Sequence, residues 1–194
     1  MRTVSGLYDD YDDAQDAVGE LEASGIPSSD ISIVANNSEN WYAEDAPSEA
    51  AEDAGTGAGI GAVVGGAGGL LTGLGVMAIP GVGPVVAAGW LAATAVGAVA
   101  GAAVGGATGG IVGALTDSGV SERDANVYAE GVRRGGTLVT ARASDDLAPE
   151  AERILGQSTA VDVASRRRDY EAEGWTAFDP AAPAYTPGEA RRVP

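Results

Sequence analysis

The sequence predicts an α+β fold, a ferredoxin-like β-α-β / α / β-α-β domain split by a glycine-zipper helical hairpin. Three observations predict it. A strand–helix–strand order occupies residues 1–35, and the same order returns within residues 117–163. Between the halves, sixty-two consecutive residues from Gly55 to Thr116 carry no charge. Two β-α-β units in one small chain suit an antiparallel sheet with two helices on one face.

The elements follow in order. Residues 3–8 (TVSGLY) read as a strand ending at Asp9 and Asp10. Asp12 or Asp13 then caps a helix in which Ala14, Ala17, Val18 and Leu21 recur at helical spacing. Gly25 and Pro27 stop it, and residues 30–35 (DISIVA) alternate as a second strand. Residues 36–54 are polar and acidic and read as a loop.

After the uncharged stretch, the run Ser121-Glu-Arg-Asp124 is a capping box with Asp in place of the usual Glu. It opens a helix with Ala125, Tyr128, Ala129 and Val132 inward, closed by Gly135 and Gly136. Residues 137–142 (TLVTAR) form a strand, and Asp145 or Asp146 caps a helix carrying Ala151, Ile154 and Leu155. Gly156 ends that helix, residues 160–163 (AVDV) make a fourth short strand, and residues 164–194 are a polar tail.

Within residues 55–116, glycine recurs at every fourth position in two series. The first is Gly57, Gly61, Gly65, Gly69 and Gly73; the second is Gly97, Gly101, Gly105, Gly109 and Gly113. In a helix, residues four apart share a face, so each series is a stripe without side chains along which two backbones can approach closely. The run from Pro80 to Pro84 interrupts the stretch. The expected helices are residues 57–78 and 85–115, about 33 Å and 46 Å long at about 1.5 Å per residue. Either exceeds the roughly 30 Å of a bilayer's hydrocarbon core. Membrane contact is favoured by length, by the lack of charge, by Trp90 and by the glycine motif. Low Leu and Ile content, and flanks without Arg, weigh against it. The competing reading is a hairpin buried by self-association.

Composition excludes more than it assigns. The formal net charge is −17, with one Arg against fourteen acids in residues 1–54. Such a chain is repelled by nucleic acid. It has no Cys, no His and no Lys, which removes disulfides, thiolate nucleophiles, the commonest general base and the usual phosphate-binding loop. The N-terminus shows no secretory signal, so a cytoplasmic location is expected. Gly57-Ala-Gly59-Ile-Gly61-Ala62 and Gly73-Leu-Gly75-Val-Met-Ala78 satisfy a loose dinucleotide pattern, but neither has the preceding strand or the later acid that binding needs. Asp9, Asp10, Asp12 and Asp13 lack calcium-loop spacing and read as acids at a helix N-terminus. Arg166, Arg167 and Arg168 suit anionic lipid, the acidic N-terminal region or plain solvation, and Trp175 and Phe178 suit docking of the tail. Trp41-Tyr42 is open in meaning, and the sequon Asn36-Asn-Ser38 carries none without secretion. No nucleophile stands beside a base, so no catalytic, cofactor or metal site is expected.

The chain also resembles the bacterial family of heat-induced, general stress proteins. The resemblance rests on Val4-Ser-Gly-Leu-Tyr-Asp-Asp-Tyr-Asp-Asp-Ala14 with Gly25-Ile26-Pro27, and on Ile79-Pro-Gly-Val-Gly-Pro84. It continues in Tyr128-Ala-Glu-Gly-Val-Arg-Arg-Gly-Gly-Thr-Leu-Val139, Gly174-Trp175 and Phe178-Asp179-Pro180. It implies a stress-linked role and transfers no catalytic residue. The expectation is therefore a non-enzymatic stress-response protein with a cytoplasmic domain, bound to membrane lipid through its glycine-zipper hairpin. The alternative is a soluble homo-oligomeric scaffold, or a ligand-sensing module whose hairpins bury one another.

Overall fold

The computed structural model describes residues 1–42, 74–94, 110–157 and 159–185. The strands are β1 (Arg2–Tyr8), β2 (Ile31–Asn36), β3 (Gly75–Ile79), β4 (Gly83–Gly89) and β5 (Thr137–Ala143). The helices are α1 (Tyr11–Ala23), α2 (Ile111–Asp117), α3 (Glu122–Arg133), α4 (Ala148–Leu155) and α5 (Val163–Ala172), with a 3-10 turn at Ser28–Asp30.

One antiparallel sheet runs in the order β1-β5-β2-β4-β3. β5 stands between β1 and β2, antiparallel to both, with Ser5 opposite Thr140 and Thr140 opposite Ser32. On one face Tyr8, Ile33 and Val139 pack with Val18 and Leu21 of α1 and with Ile154 of α4. On the other, Leu7, Val34, Val85 and Leu138 pack with Leu115 of α2 and with Ala125 and Val132 of α3. The two helices of the β-α-β units, α1 and α4, lie on one face as expected, and α2 and α3 cover the other, so the central strands are covered twice. β2 is buried along its whole length, the condition that makes strands read as unbroken apolar runs.

The charge-free stretch brings the largest correction. Residues 75–78 and 85–89, expected within two long helices, belong to the paired strands β3 and β4, with β4 also paired to β2. Pro80 and Gly81 form the connecting turn, closed by Val82 N–H donating to Ile79 O at 3.0 Å. Proline at the second position and a φ of 76° at Gly81 are what a type II turn requires. The residues that break a helix here turn a β-hairpin. Val85 and Ala87 face α2 and α3, while Val86 and Ala88 face the other way.

Nine of the ten glycines in the two stripes, Gly57, Gly61, Gly65, Gly69, Gly73, Gly97, Gly101, Gly105 and Gly109, lie outside the described residues. Gly113 is buried in α2. Among the described residues no helix is long and apolar enough to cross a membrane.

Two smaller corrections concern the ends of elements. The fourth strand reduces to one antiparallel bridge between Tyr8 and Ala160, and Val163 begins α5. The cap of α1 is Asp10, whose carboxylate accepts from Asp12 N at 2.8 Å, with Asp12 and Asp13 in the first turn. The Ser121 cap of α3 holds as expected, its Oγ accepting from Asp124 N at 3.2 Å.

Candidate functional site

Two polar clusters stand out. The first is at the C-terminal end of α3, where Val127 to Val132 are all buried, Glu130 among them. Its carboxylate is fully covered and accepts from Arg134 Nε at 2.7 Å and from Arg133 Nη1 at 3.3 Å. Arg134 also donates to Glu173 at 2.6 Å and lies 4.1 Å from the Tyr170 ring centroid. Arg133 donates to Pro183 O at 2.9 Å and stacks over Tyr185 at 4.4 Å.

The tail is therefore docked rather than free. Phe178 N–H donates to Asn126 Oδ1 at 3.0 Å, and Trp175 meets Tyr170 edge-on at 5.6 Å. Gly81 leaves the room that the strap occupies, since a Cβ there would come within 2.7 Å of Pro180. α5 is tied nearer its N-terminal end by Arg166, paired bidentately with Asp9 at 2.8 and 2.7 Å, and by Arg167, which reaches Asp124 at 3.2 Å. Arg166 of the arginine triplet thus meets the acidic N-terminal region, at Asp9. With every charge opposed, this cluster suits a clamp.

The second cluster is a row of hydroxyls on the α2/α3 side of the sheet. Ser5, Thr140 and Ser32 are cross-strand neighbours, continued by Gly89. Thr140 is fully buried, and neither its Oγ1 nor Ser5 Oγ has a hydrogen-bond partner among the described residues. Ser32 Oγ donates to Ala88 O at 2.7 Å. Nearby Arg142 stacks over Trp90 at 4.8 Å while donating to Asp30 at 2.9 Å. Such a row offers hydrogen bonds to an acceptor. It supplies no base, since Arg142 is a permanent cation held by Asp30.

Trp41 packs on Tyr11 at 4.6 Å and donates from its indole N–H to Asn36 O at 2.7 Å, which gives the Trp41-Tyr42 pair a structural role. Asn36 and Asn37 are buried and already engaged, Asn36 Nδ2 donating to Val132 O at 3.0 Å and Asn37 Oδ1 accepting from Tyr42 N at 3.1 Å. Sequence reasoning missed Glu130 altogether. Its i,i+3 and i,i+4 arginines look like surface pairing, and the signal it left was an acid inside an otherwise apolar helical run.

Burial sets the phenols apart. The Tyr8 hydroxyl is pushed up to about 12 by desolvation, aided by Glu20 and Asp13, and Tyr128 to about 12 by desolvation, aided by Asp124. The folded chain therefore keeps protons that the unfolded chain releases near the ordinary value of 10.0. Their stabilisation is complete below that value and declines as pH rises from there to about 12. Phenolate absorbance during an alkaline titration is expected to show Tyr8 and Tyr128 among the late tyrosines, their ionisation coinciding with unfolding. Ionisation of all tyrosines at their ordinary value in folded protein would contradict this.

Residues 3–78 match the family model described as the heat induced stress protein YflT domain, the family suggested by the sequence motifs. The matched span runs from β1 through α1 and β2 to the penultimate residue of β3. Comparison with curated proteins and with solved structures gives no match. The family match supports a general role in the stress response.

Proposed function

We propose that this chain, whose residues 3–78 match the heat induced stress protein YflT domain model, is a non-enzymatic stress-response protein that acts by self-association. One observation carries the reading. The centre of the charge-free stretch is spent on protein packing: Val85, Val86, Ala87 and Leu91 are buried in the domain. Its apolar character there serves burial against protein, and Leu74, just ahead of β3, accepts from Tyr42 Oη at 3.5 Å. A chain without His, Cys or Lys supports the non-enzymatic part. The ferredoxin-like reading of the fold draws support from β5 standing between β1 and β2, and from Ala160 on the far side of β1.

Membrane association is the second reading, favoured by the sixty-two residues without charge. Detergent-free lysis with a carbonate wash, followed by light scattering of the supernatant, separates the two. Self-association predicts washed-off protein larger than one copy. Retention in the carbonate-washed pellet would overturn it in favour of the membrane, and a single copy in solution would overturn it outright.

A further inference from the structure

The two edges of the sheet are treated differently. At β1, Arg2 pairs with Glu152 at 3.1 Å, Ala160 bridges Tyr8, and Val161 N–H donates to Leu7 O at 2.8 Å. Charge and a partial neighbour therefore blunt that edge. At β3 nothing comparable is present among the described residues. The strand reads Gly-Val-Met-Ala-Ile, with no charge, proline or bulge, the features by which proteins ordinarily guard an edge.

The direction of its free groups follows from Pro84. Pro84 lies opposite Ala78 and has no N–H, and its carbonyl accepts from Asn37 N on the β2 side at 2.9 Å. Ala78 is therefore not hydrogen-bonded to β4, and its N–H and C=O point away from the sheet. By alternation the same holds for Val76, while Met77 bonds inward to Val85. Two outward residues flank one inward residue, so the edge is complementary to itself.

We propose that β3 pairs antiparallel with β3 of a second copy about a two-fold axis at Met77, joining two sheets into one. Val76 of each copy lies opposite Ala78 of the other, and each pair exchanges both of its hydrogen bonds. In a molecule of net charge −17, an uncharged strand is the place where two identical copies meet without direct repulsion. The inference rests on the self-association reading and assigns it an interface.

The test uses the full chain. Light scattering across a dilution series gives the mass, and residue-resolved amide exchange follows β3. The Val76 and Ala78 amides are expected to be protected at high concentration and to exchange on dilution, while Met77 stays protected throughout. Ala78→Pro removes the outward N–H while leaving the Met77 bond to β4 its donor and acceptor, and is expected to weaken association roughly tenfold or more. Ala78→Lys serves where the proline variant does not fold, because Ala78 is solvent-exposed and a lysine there guards the edge without entering the core. An associated wild type whose mass neither variant changes would overturn the interface and leave self-association standing. Protection of Val76 and Ala78 that ignores dilution would show the edge covered by the chain itself, and would also overturn it. A single copy at every concentration would overturn both readings.

Discussion

Glu130→Ala is expected to destabilise the protein by about 3–5 kcal/mol, the cost of stripping the partner from a buried charge. Glu130 is fully covered, and Arg134 beside it is 8% exposed. Removing the carboxylate leaves Arg134 with the partly exposed Glu173 as its acid, and Arg133 loses the acid it pairs with among the described residues. The tail should loosen with it, because Arg133 holds Pro183 O and Arg134 holds Glu173. Urea unfolding measures the cost. Adding Arg134→Met should recover part of it, making the double variant less damaged than the two single costs combined. A Glu130→Ala cost below about 1 kcal/mol would place the pair with ordinary surface ion pairs and contradict the clamp.

Gly89→Ala is expected to cost about 3 kcal/mol or more. Gly89 ends β4 at a φ of 90°, where a side chain adds about 1–2 kcal/mol by itself. A Cβ there would run into Ile31 O and approach Ser32 Cα to 2.8 Å. These are backbone atoms of the neighbouring strand, so relief requires β2 and β4 to part, an overpacking cost of about 1–3 kcal/mol more. Gly25→Ala is the control, with a similar φ of 95° but nothing within 4 Å of the added carbon. Its cost should be the conformational part alone. Equal costs at the two sites in denaturant unfolding would contradict the tight β2–β4 approach.

Much of the domain was readable because its elements announce themselves locally. Ala14, Ala17, Val18 and Leu21 repeat at helical spacing, and all four are buried in α1. Ser121 and Asp124 mark the start of α3 by mutual bonding. β3 and β4 gave no such signal. β4 is flanked on both edges by β2 and β3 and buried over most of its length, so its apolar run has no alternation to separate it from a helix. Pro80, Gly81, Gly83 and Pro84 stop a helix and turn a hairpin equally well. α5 was hidden for the opposite reason. Its sequence is polar with Tyr170 alone buried, and its hold on the domain comes from Asp9 and Asp124, far away along the chain.

The clamp was illegible in the same way. Whether Glu130 faces water or protein depends on the tail folding back over α3, which spacing within the helix does not encode. The hydroxyl row depends on register: Ser5, Thr140 and Ser32 become neighbours only once β5 lies between β1 and β2.

Solution NMR of the full chain tests the placement of the charge-free stretch most directly. Cross-strand contacts are expected between Val34 and Ala87 and between Met77 and Val85, the pairs that seat β4 between β2 and β3. Contacts three residues apart along 75–89, with none to residues 32–36, would show a helix there and contradict the sheet.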